Sequence, residues 1–476
     1  MNTNHENLRP AQFYGACVLS LGQHYETVMK LHSDYLPREA VSLFLQANVN
    51  KHLLSVGSAL GGIGKKEMLR MSEAQIERFY GRKMRDQDRY IRLFADCISK
   101  VRQQLPLDGC EVAVDSGGYD LVQEGGFPLS LFPDLIDFYY RFLEEHPTLY
   151  DRAFPLDLAP GYKRNPFPSL EEMDELNYVS YTRAESLPPE VRDKMVYIHH
   201  FRSTGIRDTW LKFLFEDGLA DKFVSFATGG LATSPEMTQV GCLAYALPLV
   251  DIIKYVKTRR SLTGFLFHIL GDADWKDFLP HMLLEEHIRA THGLDVTITC
   301  DSSSIFQAIG KGRYTFVYDE GQVLRISLRS DEINGNHLGL GTHAQLLVKH
   351  VNSFAGRYGL RPFDIRRDPI LEFDGQLTTL AFVYAVFGQL ALFKQVEDYC
   401  RVIAARTYPI YQSGNIPEFE RQVAGGLRKL HDGMTYEGIP AYATRITKSL
   451  QLIERLDLDE VASLVARLPE HKEFRP

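Results

Sequence analysis

Six short apolar runs in this chain end in residues that could do chemistry. VAVDSGG closes on Asp115, AFPLDLAPG on Asp157, MVYIHHF on His199 and His200, FVSFATGG on Gly229 and Gly230, GFLFHILG on His268, and VTITCDSSS on Asp301. Two carboxylates facing each other across a ligand suit reaction at an acetal-like carbon. One attacks the anomeric centre to form a covalent intermediate; the other protonates the leaving group and later takes a proton from the incoming one. Asp301 precedes three serines, small donors able to hold a carboxylate ionised, and suits the nucleophile. Asp115 suits the acid/base. Ser116, Gly117 and Gly118 behind Asp115, and Gly229-Gly230, clear side chains so that a flat ligand can approach the backbone.

The elements that position these residues follow from the same runs. Tip to tip, from Asp115 through Asp157, His199, Gly229 and His268 to Asp301, the spacings are 42, 42, 30, 39 and 33 residues. Helix-like segments lie between them at 129–145, 208–220, 236–257 and 275–291. Strand, helix, strand at this period, with runs apolar enough to be buried on both faces, predicts an α/β fold with a parallel sheet and crossover helices. Functional residues at C-terminal strand ends suit a (β/α)8 barrel and an open doubly wound sheet alike. Residues 72–105 predict one long helix or a helical pair, and 311–328 a hairpin about Asp319-Glu320-Gly321. Further helices are expected over 340–360, 376–404, 416–432 and 442–470.

The chain has 476 residues, 45% of them hydrophobic, ample for a large core. Neither a signal-peptide pattern nor an apolar stretch of bilayer length is expected, and the six scattered cysteines form no CxxC pair, so a reducing cytoplasm is the natural compartment. A net charge of -8 argues against indiscriminate coating of nucleic acid, but cations cluster locally. Lys65, Lys66, Arg82, Lys83, Arg85 and Arg89 are interleaved with Phe79, Tyr80 and Tyr90, and a second cluster contains Arg259 and Arg260; both are candidate phosphate-contacting surfaces. GSALGGIGKK (57–66) lacks the first glycine and the Ser/Thr of a phosphate-binding loop. His281 and Glu285, one helical turn apart, read as an exposed helix face.

Asp115-Ser116-Gly117-Gly118-Tyr119 resembles the DSGG(F/Y) motif of the tRNA-guanine transglycosylases, and Gly229-Gly230-Leu231-Ala232 resembles that family's GGLA. Asp157, the strand ending in HILG, Asp301 and the hairpin follow in the family's order across roughly 110–330. The resemblance implies a (β/α)8 TIM-type barrel with a helical N-terminal insertion and a helical C-terminal extension. It places a barrel over 1–409, with a basic insertion about 64–105 and a zinc-less subdomain about 311–375, and does not cover the helical tail expected over 410–476. It also implies base exchange: guanine leaves a nucleoside and a 7-deazaguanine takes its place. On that mapping Asp301 attacks C1′, Asp115 serves the two bases, and Asp157 and the backbone at Gly230 and Leu231 read the base edge. Tyr119 and His268 sandwich the ring, beside Ser116, Gly117 and Gly229. His199-His200 stand where the family has a recognition glutamine.

The departures are informative. Residues 329–375 contain no cysteine where the tRNA enzymes carry a zinc site, and His337, His343 and His350 alone make a poor structural set, so no metal or cofactor is expected. With DSSS after the nucleophile, the pattern is most similar to the phage and bacterial DNA 7-deazaguanine transglycosylases. The expected partners are DNA in preference to tRNA and a free 7-deazaguanine base, with a second copy or an accessory protein as further candidates and no membrane. The alternatives are the RNA-acting enzyme and a catalytically silent subunit.

Overall fold

The structure, a computed structural model of the chain, describes residues 13–16, 18–55, 70–117, 127–158, 169–201, 203–229, 242–271, 275–302, 304–319, 321–329, 341–372, 376–430 and 438–468. Eight strands make one parallel sheet: β1 (Phe13–Gly15), β2 (Lys51–Ser55), β3 (Glu111–Asp115), β4 (Arg152–Ala153), β5 (Tyr197–His199), β6 (Ser225–Thr228), β7 (Gly264–Ile269) and β8 (Asp295–Ser302). Their order is 4-3-2-1-8-7-6-5, which curls the sheet so that the first strand pairs with the last. The outermost strands approach each other through one parallel bridge, Ala153 to Met195. In it the Ala153 N–H donates to Lys194 O and the Val196 N–H to Ala153 O, each at 3.0 Å. β3 to β8 are the six runs read from sequence. β1 and β2 were not foreseen, because FYG is too short for a period and KHLLS opens on two polar residues.

Alternation along the strands sorts the side chains. Tyr14, Leu53, Ala113, Phe154, Val196, Ile198 and Ala227 form an inner cluster. Phe13, Val112, Val114, Tyr197, Phe226, Phe267, Ile298 and Cys300 join the large core between sheet and helices. The crossovers include α1 (Val18–Leu31), α2 (Arg38–Asn48), α3 (Glu73–Arg85) and α4 (Gln87–Gln104), followed by α5 (Phe132–Glu145), α6 (Leu170–Glu185) and α7 (Pro189–Arg192). Next come α8 (Thr204–Phe215), α9 (Leu243–Arg259) and α10 (Phe278–His292). The helical segment expected over 72–105 is thus a pair, started by a Ser72–Gln75 capping box and broken at Asp86.

After β8 come α11 (Ser304–Gly310), the hairpin β9 (Tyr314–Asp319) and β10 (Gln322–Ser327), and α12 (Thr342–Ala355). Each outer edge of the hairpin is met by side chains. The Phe316 N–H donates to Gln389 Oε1, the Tyr318 N–H to His350 Nδ1 and the Ser327 N–H to His343 Nδ1. His350 Nε2 then reaches Gly388 O at 3.0 Å. Two of the three histidines weighed as zinc ligands therefore serve the backbone, while His337 lies outside the described residues. Among the described residues no group of three or more His, Cys, Asp or Glu is arranged to hold a metal.

α13 (Thr379–Gln412) is long and apolar enough to cross a membrane, which corrects the expectation that no such stretch exists, but most of its apolar window is buried in the protein. It packs on α1 and α10, stacks Phe393 on Phe13 at 3.8 Å, and Glu397 Oε1 accepts from the Phe13 N–H at 3.1 Å. The boundary expected at 409/410 falls inside this helix. The tail that follows, α14 (Ile416–Leu427), α15 (Gly438–Arg455) and α16 (Leu458–Val465), belongs to the helical layer: α15 packs on α9 and α10, and Tyr442 bonds Asp277. The His281–Glu285 face of α10 is also corrected. Both residues are buried between β8 and the tail, and Glu285 Oε1 accepts from the Ile298 N–H at 2.7 Å.

Candidate functional site

The inward-facing positions of β7 and β8 build the best-defined part of the site. Ile298 and Cys300 point outward, so Thr299 and Asp301 share the inner face. Asp301 is buried at the C-terminal end of β8, and its Oδ1 accepts from the Gly271 N–H at 2.8 Å and meets His268 Nε2 at 3.1 Å. His268 Nδ1 lies 2.9 Å from Thr299 Oγ1. A carboxylate next to Nε2 requires the proton there, so the hydroxyl donates to Nδ1. Gly271 has φ +74°, a conformation that favours glycine and that aims its N–H at the acid. Oδ2 of Asp301 takes no hydrogen bond among the described residues.

His268 is therefore not a platform for a flat ring. It is fully buried, with Tyr14 edge-on at 5.0 Å and Phe154 at 5.0 Å, and its polar edge is spent on Asp301 and Thr299. The next inward residue on this segment is Leu270, partly buried against the inner cluster, with Cδ1 3.6 Å from where a Cβ on Gly229 would stand. Leu270 reaches the mouth and His268 supports the acid beneath it. The period of two, 266, 268, 270, carried this signal, but the ring was preferred to the register.

On the opposite side, Asp157 Oδ2 and His200 Nε2 are 2.6 Å apart, and His200 is buried. His200 Nδ1 has no partner among the described residues, and its Cε1 is 3.0 Å from a Cβ built on Gly229. Only glycine at 229 leaves this imidazole where it is. Asp115 Oδ2 accepts from the Gly117 N–H at 3.2 Å, and Gly117 has φ +71°, the left-handed turn that the Ser-Gly-Gly sequence permits. Ser116 is buried beside it. Tyr139 lies close to both acids and donates to Phe154 O; burial first, then Asp115 and more weakly Asp157, push its hydroxyl well above the ordinary range.

His199 leaves the set. Ile198 faces inward, so its neighbour points out between the sheet and the helices, where His199 Nε2 meets Asp251 Oδ2 at 3.1 Å. Arg207 grips the same carboxylate through Nε at 2.9 Å and Nη2 at 2.6 Å, and all three residues are buried. Burial lowers the His199 imidazole below its usual value, against the opposing pull of Asp251. Tyr119, Gly230, Leu231, Lys65 and Lys66 lie outside the described residues.

The two cationic clusters fall on opposite faces. α3 lies beside the segment that follows the Asp115 turn: Glu77 accepts from Ser130 Oγ at 2.9 Å, and Tyr80 packs on Phe127. Arg82, Arg85 and Arg89 are exposed there, continuing a 4-3-4-3 spacing from Arg78 to Arg92, while Lys83 folds over Phe79 at 4.1 Å. Arg259 and Arg260 end α9, which runs from the top of β6 back to the start of β7. Arg260 is tied to the carbonyls of Ala220 and Phe223, ahead of β6. This pair faces away from Asp301, so the structure does not bring it together with the arginines of α3 and α4.

A cavity of about 360 Å³ lies at that far end, lined by Lys51, Glu111, Arg152, Thr297 and their neighbours. Its charges answer each other. Glu111 takes Arg152 Nε at 2.8 Å, the Tyr14 hydroxyl and, at 3.9 Å, Lys51. Burial pushes the Glu111 carboxyl up, but these three partners outweigh it and hold the carboxyl below its ordinary value. We place the candidate site at the strands' C-terminal ends, where Asp115, Asp157 and Asp301 stand at the mouth of the curled sheet. Compared with protein-family models, curated proteins and solved structures, the chain matches none.

Proposed function

We propose that the chain is a base-exchange transglycosylase that replaces guanine in DNA by a 7-deazaguanine through a covalent glycosyl–aspartate. The observation that carries this reading is the setting of Asp301: one oxygen meets the His268 and Gly271 nitrogens, and the other takes no hydrogen bond among the described residues. Asp301 Oδ2 bonds to C1′ as the bond to guanine breaks, and Asp115 protonates the departing base. Asp115 then takes the proton of the incoming base, whose nitrogen displaces the ester. Asp157, steadied by His200, accepts from the base N–H edge, with Leu270 and Gly229 beneath the ring. The target nucleotide must leave its stack to reach this depth. The α3–α4 arginines neutralise backbone phosphates at the rim. A silent subunit would have no use for a doubly anchored acid. We read the curled sheet as a (β/α)8 barrel joined at β4–β5, a reading the Ala153–Met195 bridge supports.

The test is incorporation of labelled guanine or 7-cyano-7-deazaguanine into duplex DNA, single-stranded DNA and tRNA, with Asp301→Ala and Asp115→Ala alongside. Label entering DNA alone, and lost in both variants, supports the proposal. Label entering tRNA alone moves the activity to RNA, and release of free base without incorporation makes it a hydrolase.

A further inference from the structure

We infer that Thr299 and His268 are positioning residues for Asp301: a buried hydroxyl–imidazole relay that holds the imidazole with its Nε2 proton on Oδ1 and so leaves Asp301 with a single reactive oxygen, Oδ2. This inference rests on the proposed role of Asp301 as nucleophile and goes beyond it. Hydroxyl, imidazole and carboxylate in a line resemble the parts of a nucleophilic triad, but accessibility reverses its direction. Thr299 is fully buried and cannot meet a substrate, whereas the carboxylate stands at the strand end. The acid is thus the working end and the hydroxyl the anchor.

The hydrogen bonds admit one neutral arrangement. Asp301 Oδ1 already accepts from the Gly271 N–H, and an ionised carboxylate only accepts, so His268 Nε2 must carry the proton. Nδ1 is then a lone pair, which the Thr299 hydroxyl at 2.9 Å satisfies as donor. The opposite tautomer would set a lone pair against a carboxylate in a buried place. The groups facing His268 reinforce this. Tyr14 from β1 turns its ring edge to it and sends its hydroxyl away to Glu111, Phe154 from β4 is apolar, and its β6 partner is Ala227. No other charged side chain among these neighbours can exchange a proton with it. Two donors on Oδ1 favour the ionised acid and draw its charge toward the protein, while Oδ2 keeps its lone pairs for C1′.

The test reads the relay in two independent ways in the full-length chain. Histidine-selective ¹⁵N NMR, with the His268 signals identified by their loss in His268→Gln, reports the tautomer directly. The wild type should show the Nε2–H form with a hydrogen-bonded Nδ1, Thr299→Val the Nδ1 shift of a nitrogen that has lost its donor, and Thr299→Ser the wild-type pattern. Single-turnover formation of the covalent enzyme–polymer adduct gives the second reading. Thr299→Val should slow it roughly two- to tenfold, the worth of a hydrogen bond between neutral groups. Thr299→Ser should restore it. An Nδ1–H signal in the wild type, or a Thr299→Val rate equal to that of the wild type, overturns the relay. If the wild type forms no adduct with any polymer, the proposed activity fails and the NMR signals still decide the relay: Nε2–H, with an Nδ1 shift that moves in Thr299→Val, upholds it.

Discussion

Removal of Asp251 should cost stability and leave the candidate chemistry intact. Asp251, His199 and Arg207 are buried, and the carboxylate takes two bonds from the guanidinium and one from the imidazole. Asp251→Ala leaves Arg207 charged and unpaired, a change that costs about 3–5 kcal/mol. Unfolding entropy of about 2.1 cal/mol/K per residue gives about 1 kcal/mol/K for a chain of 476 residues. The melting midpoint should therefore fall by about 3–5 °C. The double variant Asp251→Leu, Arg207→Met, which removes both charges at similar volume, should return close to the wild-type midpoint. Calorimetry at pH 7.5 reads both, with base exchange measured below the transition. A loss under about 1 kcal/mol in Asp251→Ala, or a double variant as unstable as the single, would refute the electrostatic account. A collapse of base exchange in folded Asp251→Ala would return His199 to the functional set from which its orientation removes it.

Acid should destabilise the fold through two buried imidazoles. Burial lowers His52 to about 4 and His281 to about 3. Their stabilisation is complete above the unfolded value near 6.5 and is lost as pH falls from there toward those folded values, by about 2 kcal/mol each at pH 5. Urea midpoints between pH 8 and 5 should show the decline, and His281→Phe should reduce it by about 2 kcal/mol at pH 5. Gly229→Ala should drive a methyl onto His200 and weaken base binding several-fold with little effect on the chemical step, read as KM against kcat. Replacing Arg82, Arg85 and Arg89 together by Ala should flatten the salt dependence of DNA binding by about 2.7 in log–log slope, at 0.9 per phosphate contact. The Arg259→Ala, Arg260→Ala pair should leave it unchanged.

Much of this architecture could be read before any coordinates. The six tips from Asp115 to Asp301 mark strand ends because buried parallel strands are near-continuous apolar runs, and the glycines at 117 and 229 occupy places where a side chain would strain or collide. What was not legible depends on facing. His199 and His200 are adjacent and chemically identical, yet one bonds Asp251 in the outer layer and the other Asp157 at the mouth. One residue of register decides between them. His268 and Leu270 were exchanged for the same reason. The tail from 410 onward was invisible as part of the core because helical periodicity shows that a face is apolar, not which partner covers it.

The hairpin β9–β10 carries a consequence for how this protein can meet others. A two-stranded ribbon normally offers two rows of unpaired amides, the template by which a foreign strand joins a sheet. Here Gln389 and His350 occupy the amides of Phe316 and Tyr318, and His343 that of Ser327. Side chains from two helices act as a blunt border, so the ribbon is closed to strand exchange along these amides. The closure depends on neutral imidazole nitrogens that can accept. Burial keeps His350 in that form by lowering its pKa, so this border should stay closed to strands in mild acid.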